Sequence, residues 1–412
     1  MHVLLVGAGG VGGAAAAIAV RRDFVERLVV ADHDLDRARA VVDRLGDPRL
    51  SAVRLDANDE AGVTAALAEL DAGGPGRTAL LNATDPRFVM PLFRAALAAG
   101  ATYLDMAMSM STPHPDAPHE KTGVKLGDDQ FAMAEAWERA GQLALVGIGV
   151  EPGLSDVFAR YAADHLFSRI DEIGVRDGAD LTVEGHGFAP PFSIWTLIEE
   201  CLNPPVVWER GRGWYTTPPF SEPEVFDFPA GIGPLECVNV EHEEVLLVPR
   251  WVDVQGRVTF KYGLGSTVID TLRTLHDLGL SSTKPVTVRN GGGSVAVSPR
   301  DVVAACLPDP ATLGEKMTGK TCAGVWVRGT GKDGAPRQVY LHHVVDNAWS
   351  MQEYGSQAVV WQTAINPVVA LELIASGTWS GAGVLGPEAF DAVPFLDLLT
   401  AYGSPWEIRE GG

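Results

Sequence analysis

Residues Val3 to Val6 form an apolar strand that runs directly into Gly7-Ala8-Gly9-Gly10-Val11-Gly12, and the alanine-rich stretch Ala14 to Val20 follows with the composition of a helix. A G-x-G-x-x-G turn held between a buried strand and a helix commits the chain to a βα unit that cradles a dinucleotide. Gly7 permits the tight turn, Gly9 clears the backbone for a pyrophosphate, and Gly12 lets helix and strand pack closely. The helix start, with Gly10 and Val11, then aims its free N–H groups at the phosphates. Asp32 ends the next apolar strand, twenty positions beyond Gly12. A carboxylate there accepts hydrogen bonds from both ribose hydroxyls and repels a 2′-phosphate, so NAD is favoured over NADP. Arg37 and Arg39, further on, are the residues that would soften that preference.

The first third alternates strand and helix. Strands are expected at Leu28–Ala31, Ala52–Leu55, Ala79–Asn82, Ala101–Leu104 and Leu143–Ile148, and helices at Ala38–Leu45, Ala61–Leu70, Phe88–Ala99 and Glu135–Ala140. That order predicts an α/β Rossmann domain with a doubly wound parallel sheet. Ligands of such sheets bind outside the carboxyl ends of the strands, which nominates Asn82, Ala83, Asp85 and Asp105. Asp56, at the end of the third strand, either accepts from an adenine amino group or caps the following helix. From Met106 to Asp129 no periodicity survives, and a stretch of that kind reads as a lid or crossover loop. His114 and His119 lie within it, but the prolines between them interrupt any helix, so they read as loop histidines rather than metal ligands.

Composition narrows the function. The formal net charge of −21 disfavours nucleic acid and anionic membranes, and no basic run with interleaved aromatics offsets it. No apolar run is expected to span a membrane, and the chain starts on a core strand rather than a leader, so a cytoplasmic protein is expected. Cys201, Cys237, Cys306 and Cys322 are too widely spaced for a zinc site or a disulfide scaffold, and no metal is expected.

The opening turn, the Leu104-Asp105 strand end, the turn Gly149-Val150-Glu151-Pro152-Gly153-Leu154, and the closing segment Gly377-Thr378-Trp379-Ser380-Gly381-Ala382-Gly383-Val384 with Pro387-Glu388 together resemble the saccharopine dehydrogenase-like family. The resemblance covers nearly the whole chain. Its members include saccharopine reductases and dehydrogenases, lysine 6-dehydrogenase, and carboxynorspermidine and carboxyspermidine dehydrogenases. It implies a Rossmann domain over residues 1–150 and a second α+β domain, built on an antiparallel sheet and used for substrate binding and dimerisation, over 151–350. C-terminal helices over 351–412 would return to the first domain. Valine-rich runs at Glu236–Leu247, Arg257–Tyr262, Val286–Val288, Ala323–Arg328 and Gln338–Val345 suit the second sheet, and Trp361–Ala375 reads as an apolar helix.

The resemblance further implies hydride transfer at a C–N bond of a lysine-derived or polyamine-type amino acid, saccharopine-like by preference, in a homodimer. Transfer with a retained NAD, or cofactor binding without turnover, are the readings of another class. Glu151, just before the Pro-Gly turn, is then a catalytic acid beside the nicotinamide or else a solvated turn acid. Arg250, at the end of the apolar run Val245–Val248, is the nominee for a carboxylate clamp. Lys261-Tyr262 matches a family strand motif without the histidine that follows it there. His186 is a candidate proton shuttle. In Glu241-His242-Glu243-Glu244, a strand would put His242 and Glu244 on one face and Glu241 and Glu243 on the other. Together with Glu236 these acids would attract a cationic amine, or would form a solvated sheet face.

Overall fold

The computed structural model describes residues 1–71, 73–74 and 76–411. Seven parallel strands form the first sheet, in the spatial order Gly383–Leu385, Leu143–Leu145, Thr102–Asp105, Thr78–Asn82, His2–Val6, Arg27–Asp32, Leu50–Arg54. Helices Gly10–Ala19, Leu35–Leu45, Glu60–Leu70, Val89–Ala99 and Ala134–Ala140 connect them. Val3 to Val6 and Ala79 to Leu81 are buried on both faces, as the unbroken apolar runs of a covered parallel sheet require. The helices begin where the sequence offers a cap. Asp34 accepts from the Asp36 N–H and Asp59 from the Gly62 N–H.

The second sheet has nine strands and is mixed rather than antiparallel. Its central strand, Phe167–Ala179, pairs antiparallel with Lys320–Gly331 on one side and parallel with Val254–Gly263 on the other. The parallel pair arises because a long crossover, containing a helix at Ile194–Leu202 and two strand pairs, separates its members in sequence. The long central strand was not expected. Its adjacent polar pairs, Ser168-Arg169, Asp171-Glu172 and Arg176-Asp177, hide the alternation that marks a strand.

The run Glu236–Leu247 is not one strand. A strand covers Gly233–Asn239 and a helix covers Glu244–Trp251. Val245 to Val248 is apolar without alternation and buried all round, a pattern that periodicity alone cannot assign. Glu243 and Glu244 at its start suit the positive end of a helix dipole.

The end of the chain joins both sheets. Helix Ala358–Ala375 packs along Gly10–Ala19, and Arg22 fixes it through two hydrogen bonds of 2.8 Å to Glu372. The strand Gly383–Leu385 then extends the first sheet, while Glu407–Glu410 pairs with Pro336–Asp346 in the second. Ala358–Ala375 corrects one expectation, since by length and composition it could cross a bilayer; 72% of it is buried inside the fold instead. Ile365 in this helix is fully buried. Replacing it with alanine is expected to lower the unfolding free energy by about 2–5 kcal/mol, measured by urea unfolding; an unchanged midpoint would refute its place in the shared core.

Candidate active site

The glycine turn divides its work as its chemistry requires. A side chain at Gly7 would sit 2.5 Å from the Ala83 carbonyl oxygen, and one at Gly12 would sit 1.8 Å from the Gly7 oxygen. At Gly9 there is nothing within 4 Å. That open space belongs to a cavity of about 320 Å³ lined by Ala8, Gly9, Gly10, Gly13, Arg37 and Arg44, with the Gly355–Gln357 turn opposite. The helix Gly10–Ala19, carrying Val11 in its first turn, starts at this opening, so the residues present fit a dinucleotide pyrophosphate.

Asp32 is 7% exposed; its Oδ2 accepts from the Ala8 N–H at 2.8 Å and its Oδ1 from the Asp34 N–H at 2.9 Å. The carboxylate is thus oriented by the glycine turn itself. Asn82 is spent on the protein: its Oδ1 accepts from the Thr84 N–H and hydroxyl, and its Nδ2 donates to the Tyr103 hydroxyl. Ala83 backs Gly7 and Gly12, and Asp85 caps a short turn and pairs with Arg87. Asp56 is exposed and accepts from the Asn58 N–H, whereas the cap of the next helix is Asp59.

Beyond the strand Leu143–Leu145 the chain turns through Gly149-Val150-Glu151-Pro152-Gly153. Gly153 has φ +135°, and any side chain on it would strike the Gly149 backbone. Its N–H donates to Asp156 at 2.7 Å, and Glu388 of the closing segment lies against Asp156, pushed up to about 7 by burial. Asp105 also serves this turn. It is fully buried, accepts from the Gly147 N–H at 2.7 Å and from Gln130 at 2.8 Å, and burial raises it to about 7. Its expected place on the substrate is therefore corrected: both oxygens tie the loop to the sheet.

Glu151 projects from the turn toward the second sheet, accepting from the Gly324 N–H at 3.2 Å and facing Asp177 within hydrogen-bonding reach. Burial, then the nearby acids, raise Glu151, and burial lifts Asp177 to about 6. Asp177 is the cross-strand partner of Tyr262. Nearby, the His242 ring stacks on Phe260 at 3.9 Å, and its Nδ1 lies 2.5 Å from Glu244 and 3.4 Å from Glu243. Burial pulls His242 down, but Glu244, Glu243 and Glu200 outweigh it and hold the imidazolium to about 10. Glu200 itself is raised to about 8 by burial.

The segment around Met108 closes over this cluster. The Met108 N–H donates to Glu243 at 3.1 Å, and Ser111 and Asn203 each donate to Glu241 at 2.9 Å. Glu241, His242, Glu243 and Glu244 are all buried, so they form neither a strand nor a solvated face. Among the described residues His242, Glu243 and Glu244 are the one trio with donor atoms close enough for a metal, but those atoms already bond to each other and to the backbone. Asp177, Glu200, Glu243 and Glu244 thus act on a single imidazolium, and Glu151 meets the same group through Asp177 and Glu244. Such a pocket favours a cation.

Other nominated residues lie elsewhere. Strand alternation puts Tyr262 on the inner face but Lys261 on the outer one, where its Nζ meets Glu224 at 2.7 Å and the Glu222 carbonyl at 2.8 Å. Lys261 therefore lies on the face of the sheet opposite Tyr262 and Asp177. Glu236 is exposed on its strand, away from the cluster. Arg250 ends a helix, not a strand, with its Nε bonded to the Leu246 carbonyl and its guanidinium 3.8 Å over the Phe131 ring. His186 is exposed and, with Tyr262, Pro190, Pro191 and Leu264, lines a cavity of about 330 Å³. His114 accepts from two N–H groups of its own loop.

Three residues escaped sequence reasoning. Asp177 and Glu200 lie on elements that were not singled out. Arg87, just past the strand Thr78–Asn82, sits 4.4 Å over Trp195 of the helix Ile194–Leu202.

The His242–Glu244 pair generates a pH prediction. Its raised pKa means that the stabilisation from charged His242 is fully present below its ordinary value near 6.5 and is lost as pH rises through about 10. His242→Gln is expected to cost about 3–5 kcal/mol at pH 6.5 and progressively less toward pH 10, measured by urea unfolding at several pH values; a pH-independent gap would refute the charged pair.

Comparison with known proteins agrees with this architecture. Residues 3–145 match the saccharopine dehydrogenase NADP binding domain and residues 149–404 the saccharopine dehydrogenase C-terminal domain. The chain is 29% identical to a carboxynorspermidine synthase of Vibrio alginolyticus, covering 100% of this chain and 97% of that one. It is also 29% identical to a carboxyaminopropylagmatine dehydrogenase of Synechocystis sp., covering 99% and 98%. An apo saccharopine dehydrogenase (L-Glu forming) from Saccharomyces cerevisiae shares the fold, with a TM-score of 0.69 over 100% of both chains at 14% identity. A dinucleotide turn on a seven-stranded parallel sheet, a mixed second sheet facing it, and family matches that together span residues 3–404 place the chain in the saccharopine dehydrogenase family of nicotinamide-dependent oxidoreductases.

Proposed function

We propose that this protein interconverts the amine and imine forms of a carboxylated polyamine, using NAD in preference to NADP. The observation that carries the reading is the cluster of acids beside the carboxyl ends of the first sheet, Glu243 and Glu244 buried and Glu151, Asp177 and Glu200 half-buried. A second amino group on the substrate would neutralise it. The names of the two relatives support the polyamine alternative over the saccharopine-like preference.

A bound nicotinamide supplies the hydride acceptor or donor. The chain's own residues do the rest. Gly9 and the start of the helix Gly10–Ala19 leave room for the pyrophosphate, and Asp32 presents an oriented carboxylate to the ribose. Glu151, raised by burial and by Asp177, is placed to give a proton to the substrate nitrogen or take it back. The cluster around His242 excludes water and holds the cationic arm.

Turnover followed at the nicotinamide absorbance tests this. Carboxylated polyamines are expected to be oxidised faster than lysine or saccharopine; a preference for saccharopine would overturn the substrate reading, and binding with no net absorbance change would point to transfer with a retained cofactor. Glu151→Gln is expected to lower kcat by roughly 10²-fold and to flatten its pH profile. An unaltered profile would remove Glu151 from proton transfer. Asp32→Ser is expected to weaken NAD by about ten- to a hundredfold and to narrow its margin over NADP, measured by fluorescence titration; equal affinities in the unmodified protein would sink the Asp32 argument.

A further inference from the structure

Around Tyr262 the acids give way to an apolar cavity, and three elements make the same step. Along the strand Phe167–Ala179, Asp177 and Ala179 share a face, and Ala179 lines the cavity of about 330 Å³. Along the helix Ile194–Leu202, Glu200 stands one turn beyond Leu197, which is buried and lines the same cavity. Along the strand Val254–Gly263, Phe260 stacks on the His242 ring, and Tyr262, on the same face, lines the cavity. Burial, then Asp177, Cys201 and Glu200, hold the Tyr262 phenol well above its ordinary value, so its ring stands where acids and cavity meet. Past the end of Phe167–Ala179, the short pair Thr182–Val183 with Met317–Thr318 sets Val183 opposite Met317, and both line the cavity.

Among the described residues that line this cavity there is no aspartate, glutamate, lysine or arginine. An ammonium inside it would shed water without a partner, whereas methylene groups gain from the same walls. The two residues from Asp177 to Ala179 span about 7 Å, the length of a chain of about five methylenes. A ligand that suits acids and cavity at once is therefore an amine with an unbranched aliphatic segment. We infer that the cavity behind Tyr262 is the subsite for that segment, and that Val183 and Met317 set the length the protein accepts. The inference rests on the reading that the acids hold an amino group, and not on turnover.

Calorimetric titration of the NAD-saturated full chain with the straight-chain amines from ethylamine to heptylamine tests it. Affinity is expected to rise about fourfold per methylene as far as pentylamine and then to level off. Met317→Trp and Val183→Phe, which fill the cavity, are expected to weaken pentylamine at least tenfold more than ethylamine. Met317→Ala, which lengthens it, is expected to move the levelling point to hexylamine or beyond. Amines that bind with no dependence on chain length overturn the inference alone, even where carboxylated polyamines are turned over. So do filling variants that weaken every amine equally, and a levelling point unmoved in Met317→Ala. A rising series without turnover of carboxylated polyamines supports the subsite and counts against the proposed reaction. Failure of every amine to bind overturns both the acid reading and the subsite.

Discussion

The buried pair of His242 with Glu244 is the interaction around which the rest of the site is arranged. An imidazolium away from water is costly unless carboxylates surround it, and the carboxylates are as costly without the imidazolium. The stack on Phe260 fixes the ring against the second sheet, and the bond from Ser155 to Glu244 ties it to the helix after the Pro-Gly turn. Glu243, held by the Met108 N–H, draws the long loop of the first domain onto the same point. One charge cluster thus joins the second sheet, the helix Leu154–Tyr161 and the loop that covers the cleft.

That arrangement explains the division between structural and chemical acids. Asp105, Asp156 and Glu388 are buried around the Pro-Gly turn, where Asp105 and Asp156 accept backbone N–H groups and Glu388 packs against Asp156. Their burial makes the turn rigid. Glu151, carried by that turn, keeps one oxygen on the Gly324 N–H and meets Asp177, a group that itself changes protonation near pH 6. A carboxyl group held by a rigid turn and paired with another acid is suited to proton transfer.

The nucleotide end of the molecule was legible because its constraints are local. Gly7 and Gly12 are required by contacts within a few ångströms of their own turn, and Asp32 lies at a strand end that the alternation of elements locates. The second domain was legible only in part. Valine runs marked Val254–Gly263, Lys320–Gly331 and Pro336–Asp346, yet the apolar run at Val245 is a helix, because a segment buried on all sides shows no periodicity. With that helix, Arg250 ends on a helix and not on a strand.

The sequence by itself determined the Rossmann unit, the cofactor class and the Pro-Gly turn bearing Glu151, since each depends on residue types at short, fixed spacing. Only the tertiary structure decided which acids face the cleft. Asp177 and Glu200 come from a central strand and a helix brought to Glu151 by a mixed sheet, and pairing across such distances leaves no local signature. It also separated Tyr262 from Lys261, adjacent in sequence and opposite in space, because successive side chains of a strand point to opposite faces.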